Sequence, residues 1–193
     1  MEFKKIQLNG FKSFAEKTNF LIEDGLTGIV GPNGCGKSNI VESLRWVMGE
    51  TSAKSMRGSG MEDVIFSGTS NKASKNIAEV SIEVENKDKE GPIQYRETEQ
   101  IQVRRKIEKD KGSKFYINDK EVRARDAQMF FADLSTGAHS PSMISQGRIG
   151  ALVTAKPTDR RAILEEAAGI SGLHVRRHEA ELRLGAAENN LKR

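Results

Sequence analysis

Gly31-Pro32-Asn33-Gly34-Cys35-Gly36-Lys37-Ser38 matches G-x-x-x-x-G-K-[ST], the loop that grips nucleoside phosphates. The glycines let backbone N–H groups turn inward around phosphate oxygens, and a helix beginning near Gly36 adds its positive N-terminal end. In this pattern Lys37 reaches the β- and γ-phosphates and the Ser38 hydroxyl meets Mg²⁺. So short a pattern is tested by its context. Upstream, Leu26 to Val30 is an apolar run that predicts a buried strand ending at Gly31. Downstream, Ile40, Val41, Leu44, Val47 and Met48 share one helix face, and Gly49 offers the stop. Cys35 sits at the mouth of that helix, where a small loop filler is its simplest role.

Around this unit the sequence reads as strands. Phe3, Ile6 and Leu8 predict a first strand and Phe20 to Ile22 a second. Val80, Ile82 and Val84 alternate with polar residues, so that strand has one wet face, and another follows at Ile101 and Val103. Phe115-Tyr116-Ile117, Asn118-Asp119-Lys120 and Glu121-Val122 predict a hairpin. These strands are expected to be antiparallel, with exposed, variable tips at Asn86 to Gly91 and Glu108 to Lys114. Arg104, Arg105 and Lys106 read as a solvated strand face. In the last third, Pro157 and Asp159 mark a helix start. Ile163, Ile170, Leu184 and Leu191 share one heptad position, and Leu173, Ala180 and Ala187 another. Glu166 and Arg177 interrupt that seam, so a coiled coil and an ordinary amphipathic helix both remain open.

Composition bounds the rest. A chain of 193 residues with 36% hydrophobic and 30% charged residues has length for one domain or slightly more and excludes wholesale disorder. The net charge of +4 only mildly favours polyanions. A single cysteine excludes an internal disulfide and a cysteine zinc site; His139, His174 and His178 form no zinc motif. No apolar stretch is long enough to span a membrane and no signal core opens the chain, so a cytoplasmic protein is expected.

Hydrolysis would also need an acidic residue behind Mg²⁺ and a group to orient water. Met129 to Asp133 imitates a strand ending in such an aspartate, but Leu134 follows where a catalytic glutamate belongs, and the segment reads as a helix packed on the hairpin. Leu134-Ser135-Thr136-Gly137 imitates a signature sequence without its second glycine. Gln146, in Ile144-Ser145-Gln146-Gly147, is the candidate for Mg²⁺ and water.

Together these residues resemble the N-terminal half of the ATPase head of bacterial SMC proteins, the chromosome-organising family. The resemblance runs through Gly10-Phe11-Lys12-Ser13-Phe14, the phosphate loop extended by Asn39, Arg45-Trp46-Val47-Met48-Gly49-Glu50 and Ser52-Ala53-Lys54-Ser55-Met56-Arg57-Gly58. It continues through Met61-Glu62-Asp63-Val64-Ile65-Phe66, Ile144-Ser145-Gln146-Gly147 and Ile163-Leu164-Glu165-Glu166-Ala167-Ala168-Gly169. It implies an α/β fold: the N-terminal lobe of an ABC-type ATPase head, a P-loop NTPase with a mixed or antiparallel sheet, over residues 1–160. Residues 161–193 would be the neck and start of a coiled coil. It further implies that a C-terminal lobe from the far end of a long chain brings the signature motif and the catalytic carboxylates, that ATP with Mg²⁺ is sandwiched between two heads of a homodimer, and that this half is inactive alone.

Carried over position by position, the resemblance makes Pro32, Asn33, Gly34, Cys35, Gly36, Lys37, Ser38 and Asn39 the phosphate loop, with Ser38 and Gln146 as Mg²⁺ ligands. Arg57 resembles the family's arginine finger; a surface salt bridge is its alternative. Lys12 and Ser13 resemble residues beside the nucleotide, and Asp63 lies in the segment expected near adenine and ribose. Arg123 and Arg125 stand where relatives carry contacts to double-stranded DNA, while Gly60 replaces a lysine common among them. The implied partners also include a kleisin-type accessory subunit but no membrane, and the implied location is the nucleoid-associated cytoplasm. The alternatives are a related double-strand-break repair ATPase, disfavoured by the extended motif series; a transporter ATPase subunit, disfavoured by the missing signature and Walker B motifs; and a fragment that binds nucleotide or DNA without turnover.

Overall fold

The computed structural model describes residues 1–134 apart from 88 and 90, residues 143–144, 150 and 153–167, and scattered positions between 177 and 190. Six strands form one sheet: β1 (Glu2–Asn9), β2 (Thr18–Leu21), β3 (Ile77–Glu85), β4 (Gln100–Glu108), β5 (Gly112–Ile117) and β6 (Lys120–Val122). Their order is β2-β1-β3-β4-β5-β6, and every neighbouring pair is antiparallel. The alternation in β3 sets the register. Val80, Ile82 and Val84 face inward opposite Arg105, Val103 and Ile101 of β4, and Ile82 and Val80 meet Ile6 and Leu8 of β1. On the outer face Lys5 pairs with Glu83 at 2.8 Å, and Arg104 bridges Glu79 and Asp119 at 3.2 and 3.0 Å. The β5–β6 turn has Asn118 and Asp119 both at positive φ (46° and 62°), the backbone that a two-residue hairpin with native twist demands.

Helix α1 (Lys37–Val47) covers the inner face over β3 and β4, and α2 (Ala124–Asp133) packs on β5. The expected apolar face of α1 is present, with Ile40, Val47 and Met48 buried, but Glu42, Ser43 and Trp46 are buried too. Trp46 packs with its ring tilted against Phe11, centroids 5.4 Å apart, and Phe11 lies in the turn that follows β1. That turn is fixed by Lys12 N donating to Val64 O (2.7 Å) and Phe66 N to Gly10 O (2.8 Å). Only glycine fits at position 10, where φ is 62° and a Cβ would lie 2.2 Å from Ile77 O. Met129 to Asp133 belongs to α2, as the sequence suggests, and Phe130 and Phe131 are buried there. A third helix, α3 (Pro157–Ala167), begins at Pro157 with Asp159 in its first turn. Of the heptad positions, Ile170, Leu173 and Leu191 lie outside the described residues.

Three expectations are corrected. Leu26 to Val30 is not a strand: Leu26 and Val30 are each 96% exposed and no described strand pairs with the run. A strand buried on both faces needs neighbours for its hydrogen bonds, and none of the six strands pairs with this segment. Asn86 to Gly91 is not a freely variable tip. Asn86 is 1% exposed; its Nδ2 donates to the carbonyls of Tyr95, Arg96 and Thr98 at 3.0–3.2 Å and its Oδ1 accepts from Gly91 N at 3.2 Å. One buried amide therefore ties Gly91, Tyr95, Arg96 and Thr98 to the end of β3.

The third correction concerns Arg105, which is 3% exposed, not solvated. It lies between Trp46 and Phe115, with Cζ 4.5 and 4.6 Å from the ring centroids. Nε donates to Ser113 Oγ and Nη1 to Trp46 O and Glu50 O, each at 2.7 Å. Burial pushes its pKa down to about 10, so it remains a cation at neutral pH. Truncating it strands two buried carbonyls and opens a cavity between two aromatic rings. Arg105→Ala is expected to lower unfolding free energy by about 3 kcal/mol, and Arg105→Lys by less, measured by urea denaturation.

Candidate functional site

The phosphate loop is shaped by three glycines. Gly36 caps α1 at φ 94°, and a Cβ there would lie 2.8 Å from Ser13 Oγ. Gly34 is also left-handed at φ 82°, and a Cβ on Gly31 would lie 2.9 Å from Cys35 Sγ. Side chains at positions 31 and 36 would fill the cradle. Lys37 opens α1, but its Nζ turns back to donate to Gly31 O at 2.7 Å and Pro32 O at 2.5 Å, with Cys35 Sγ at 3.9 Å. The ammonium is thus held over the loop. Asn33, Gly34 and Ser38 are exposed, and no acidic side chain stands in the first turn of α1 to neutralise the helix end. This donor set, of backbone N–H groups, an ammonium and a hydroxyl with no carboxylate, fits a phosphate chain and its divalent cation.

A second layer connects the loop to two distant segments. Asn39 Nδ2 donates to Ser13 Oγ at 2.9 Å, and Asn39 Oδ1 accepts from Arg57 Nη2 at 2.9 Å. Glu42, one turn beyond Ser38 on α1, is 6% exposed. Its Oε2 pairs with Lys12 Nζ and its Oε1 with Arg57 Nε, while Lys12 Nζ also donates to Met56 O. Lys12 (φ 45°) and Arg57 (φ 52°) both adopt left-handed backbone, on the order of 1–3 kcal/mol each for residues bearing side chains. Lys12, Ser13, Asn39 and Arg57 are therefore one cluster, as their assignment to a common site requires, and the Arg57 ion pair is part of it. Glu42 was not legible as its centre, since the sequence does not show that positions 12 and 57 meet.

Asp63 holds the loop that carries Arg57. Its Oδ2 accepts from Ser59 N at 2.6 Å and Gly60 N at 3.0 Å, and these backbone donors hold its carboxyl below the usual carboxylate range. Arg123 caps α2, with Nε 3.1 Å from Asp126 Oδ2, and its side chain is 85% exposed; Arg125 is exposed on the first turn. Gln146 lies outside the described residues. Among the described residues no group of three or more His, Cys, Asp or Glu side chains forms a metal site, and no helix is long and apolar enough to cross a membrane.

The family model "RecF/RecN/SMC N terminal domain" matches residues 2–148. The chain belongs to this SMC family. It is 57% identical over its whole length to the chromosome partition protein Smc of Cereibacter sphaeroides, of which it spans 17%. Among solved structures, it superposes with TM-score 0.77 and 31% identity on the Pyrococcus furiosus Smc head domain with an extended coiled coil, bound to the C-terminal domain of ScpA, covering 99% of this chain and 48% of that one. A second solved chain, from work on ATP-driven dimerization and DNA-stimulated activation of SMC ATPases, matches with TM-score 0.74 and 29% identity over 86% of this chain and 99% of its own length. The antiparallel sheet with α1 and α2 is the N-terminal lobe of an SMC ATPase head.

Because the folded-state pKa of Asp63 is lowered, its contribution is complete above the ordinary carboxylate pKa and is lost as pH falls through the folded value. The backbone amide shifts of Ser59 and Gly60 are expected to titrate together with a midpoint below 3.8.

Proposed function

We propose that this chain is the ATP-binding lobe of an SMC-type chromosome condensation and segregation ATPase, whose heads engage in pairs around ATP and bind DNA. The observation that carries it is the convergence of Lys37, Asn39, Ser13 and Arg57 around one glycine-shaped loop at the mouth of α1. Loop N–H groups and the α1 N-terminus bind the phosphate chain of ATP, and Lys37 contributes its ammonium at the β,γ end. Ser38 and Gln146 would hold Mg²⁺, which when bound would supply charge neutralisation to the phosphate chain. Arg57 offers a guanidinium to the charge that develops on the transferred phosphoryl group. Lys12 and Ser13 border the nucleotide, and Asp63 keeps the Arg57 loop in shape beside the adenine and ribose.

Catalysis needs more than these groups. In this reading the C-terminal lobe of the full-length protein supplies the Walker B aspartate and catalytic glutamate, and a second head supplies the signature motif across the interface. That lobe would also cover Leu26 to Val30, exposed beside the phosphate loop. Residues 161–193 would form the neck, one of the surfaces offered to a kleisin-type subunit. Arg123 and Arg125 contact DNA phosphates, so binding is blind to sequence and salt-dependent.

Mg-ATP turnover is expected only when this chain is mixed with a separately expressed C-terminal head lobe, and Lys37→Ala abolishes it. Vigorous turnover by the chain alone overturns the half-site assignment. Replacing Arg123 and Arg125 by alanine in the complete protein is expected to weaken DNA binding uniformly across sequences. The slope of log K against log salt would fall by about 1.8, two contacts at about 0.9 each, in a fluorescence anisotropy titration.

A further inference from the structure

We propose that Glu42 is the positioning residue for the Arg57 guanidinium, dividing its two carboxylate oxygens between Arg57 and Lys12. This rests on the assignment of Arg57 to the nucleotide made above.

A buried carboxylate is an adverse group beside a polyphosphate site, since it repels the ligand and is costly to desolvate. Its presence one turn along the phosphate-binding helix calls for a use. The contacts show one. Oε1 takes Arg57 Nε and Oε2 takes Lys12 Nζ, so neither cation is paired through the same oxygen. Arg57 is then fixed at a second point, Nη2 on Asn39 Oδ1 at 2.9 Å, which sets the guanidinium plane and not only its distance. Both supports, Asn39 and Glu42, stand on α1. Ser38 and Glu42 are four residues apart, hence on one face of the helix. Arg57 itself lies in an exposed turn whose backbone is left-handed. The helix that carries the phosphate loop therefore also dictates where the guanidinium points, and the position of Arg57 relative to Ser38 is set by a rigid element.

A structural role alone would look different from a positioning role. If Glu42 merely neutralises Lys12, its removal harms the protein whether or not Arg57 is present. If it positions Arg57, its removal is harmless once Arg57 is gone. A double-mutant cycle in the full-length protein separates the two. Glu42→Gln is expected to lower kcat by about tenfold, with ATP affinity changed less than about threefold. Added to Arg57→Ala, it should change kcat by less than about twofold. Glu42→Asp keeps the charge inside the fold but withdraws it by one methylene. It runs through the same cycle, and supplies the folded variant if Glu42→Gln does not fold; its loss should likewise vanish in the Arg57→Ala background.

A nucleotide-free measurement accompanies the kinetics. Phenylglyoxal labelling of Arg57, followed by mass spectrometry, should be about fivefold faster in Glu42→Gln or Glu42→Asp than in the parent. Equal fold losses in both backgrounds, an unchanged kcat in the single variants, or an unchanged labelling rate would each overturn the proposal while leaving Arg57 in its role. If Arg57→Ala itself leaves kcat unchanged, the assignment of Arg57 fails and the proposal falls with it.

Discussion

Helix α1 must satisfy two opposed demands. Its first turn has to stay open so that unpaired N–H groups can face phosphate, while its last turn ends inside the core, where the unpaired carbonyls of a helix terminus have no access to water. The conflict is resolved by donors from elsewhere in the sheet layer. Arg105 of β4 donates to Trp46 O and Glu50 O, and Gln128 of α2 donates to Gly49 O at 2.7 Å. A cation at the negative end of a helix is also electrostatically favourable, which offsets part of the cost of burying Arg105. Gly49 is left-handed at φ 106°, and a Cβ there would lie 2.3 Å from Gln128 Cγ, so the chain leaves the helix only where a side chain is absent. The sheet and α2 anchor one end of α1; the other end is left for chemistry.

At the open end the problem is one of like charge. Lys12, Lys37 and Arg57 are gathered toward one loop, a useful arrangement for a polyphosphate and an unfavourable one otherwise. The structure satisfies each cation separately. Lys37 is held by two loop carbonyls, Lys12 by Met56 O and Glu42, and Arg57 by Glu42 and Asn39. Exchanging carbonyl partners for phosphate oxygens costs Lys37 little, because no carboxylate competes at its position. Arg57 does have a carboxylate partner, and the two cations that meet Glu42 are both on strained backbone.

The sheet was legible because period-2 alternation is a local property: β3 and the β5–β6 turn follow directly from their own residues. The same rule contained the place of Arg105, since Ile101, Val103, Arg105 and Ile107 stand two apart and all four are buried. Charge suggested solvent, and only the positions of Trp46, Phe115 and two helix-end carbonyls show why the period prevails. Asn86 and Glu42 were hidden for another reason. Their partners are set by chain closure over 9 to 12 residues in one case and by contacts spanning 30 and 15 residues in the other, which no local pattern encodes. The phosphate loop itself was plain, as its residue types are dictated by backbone geometry more than by packing.

Leu26 to Val30 shows where local and tertiary information part. The run has the composition of a buried strand and leads straight into Gly31, yet Leu26 and Val30 face solvent. Hydrophobic composition creates a tendency to be covered, but a strand also needs neighbours for its N–H and C=O groups, and none of the six strands of this sheet pairs with the run. The phosphate loop is consequently anchored firmly on its downstream side, through α1, and only through its own contacts upstream. Whatever pairs with 26–30 would fix the upstream end as well, and the loop N–H groups would then be preorganised from both sides.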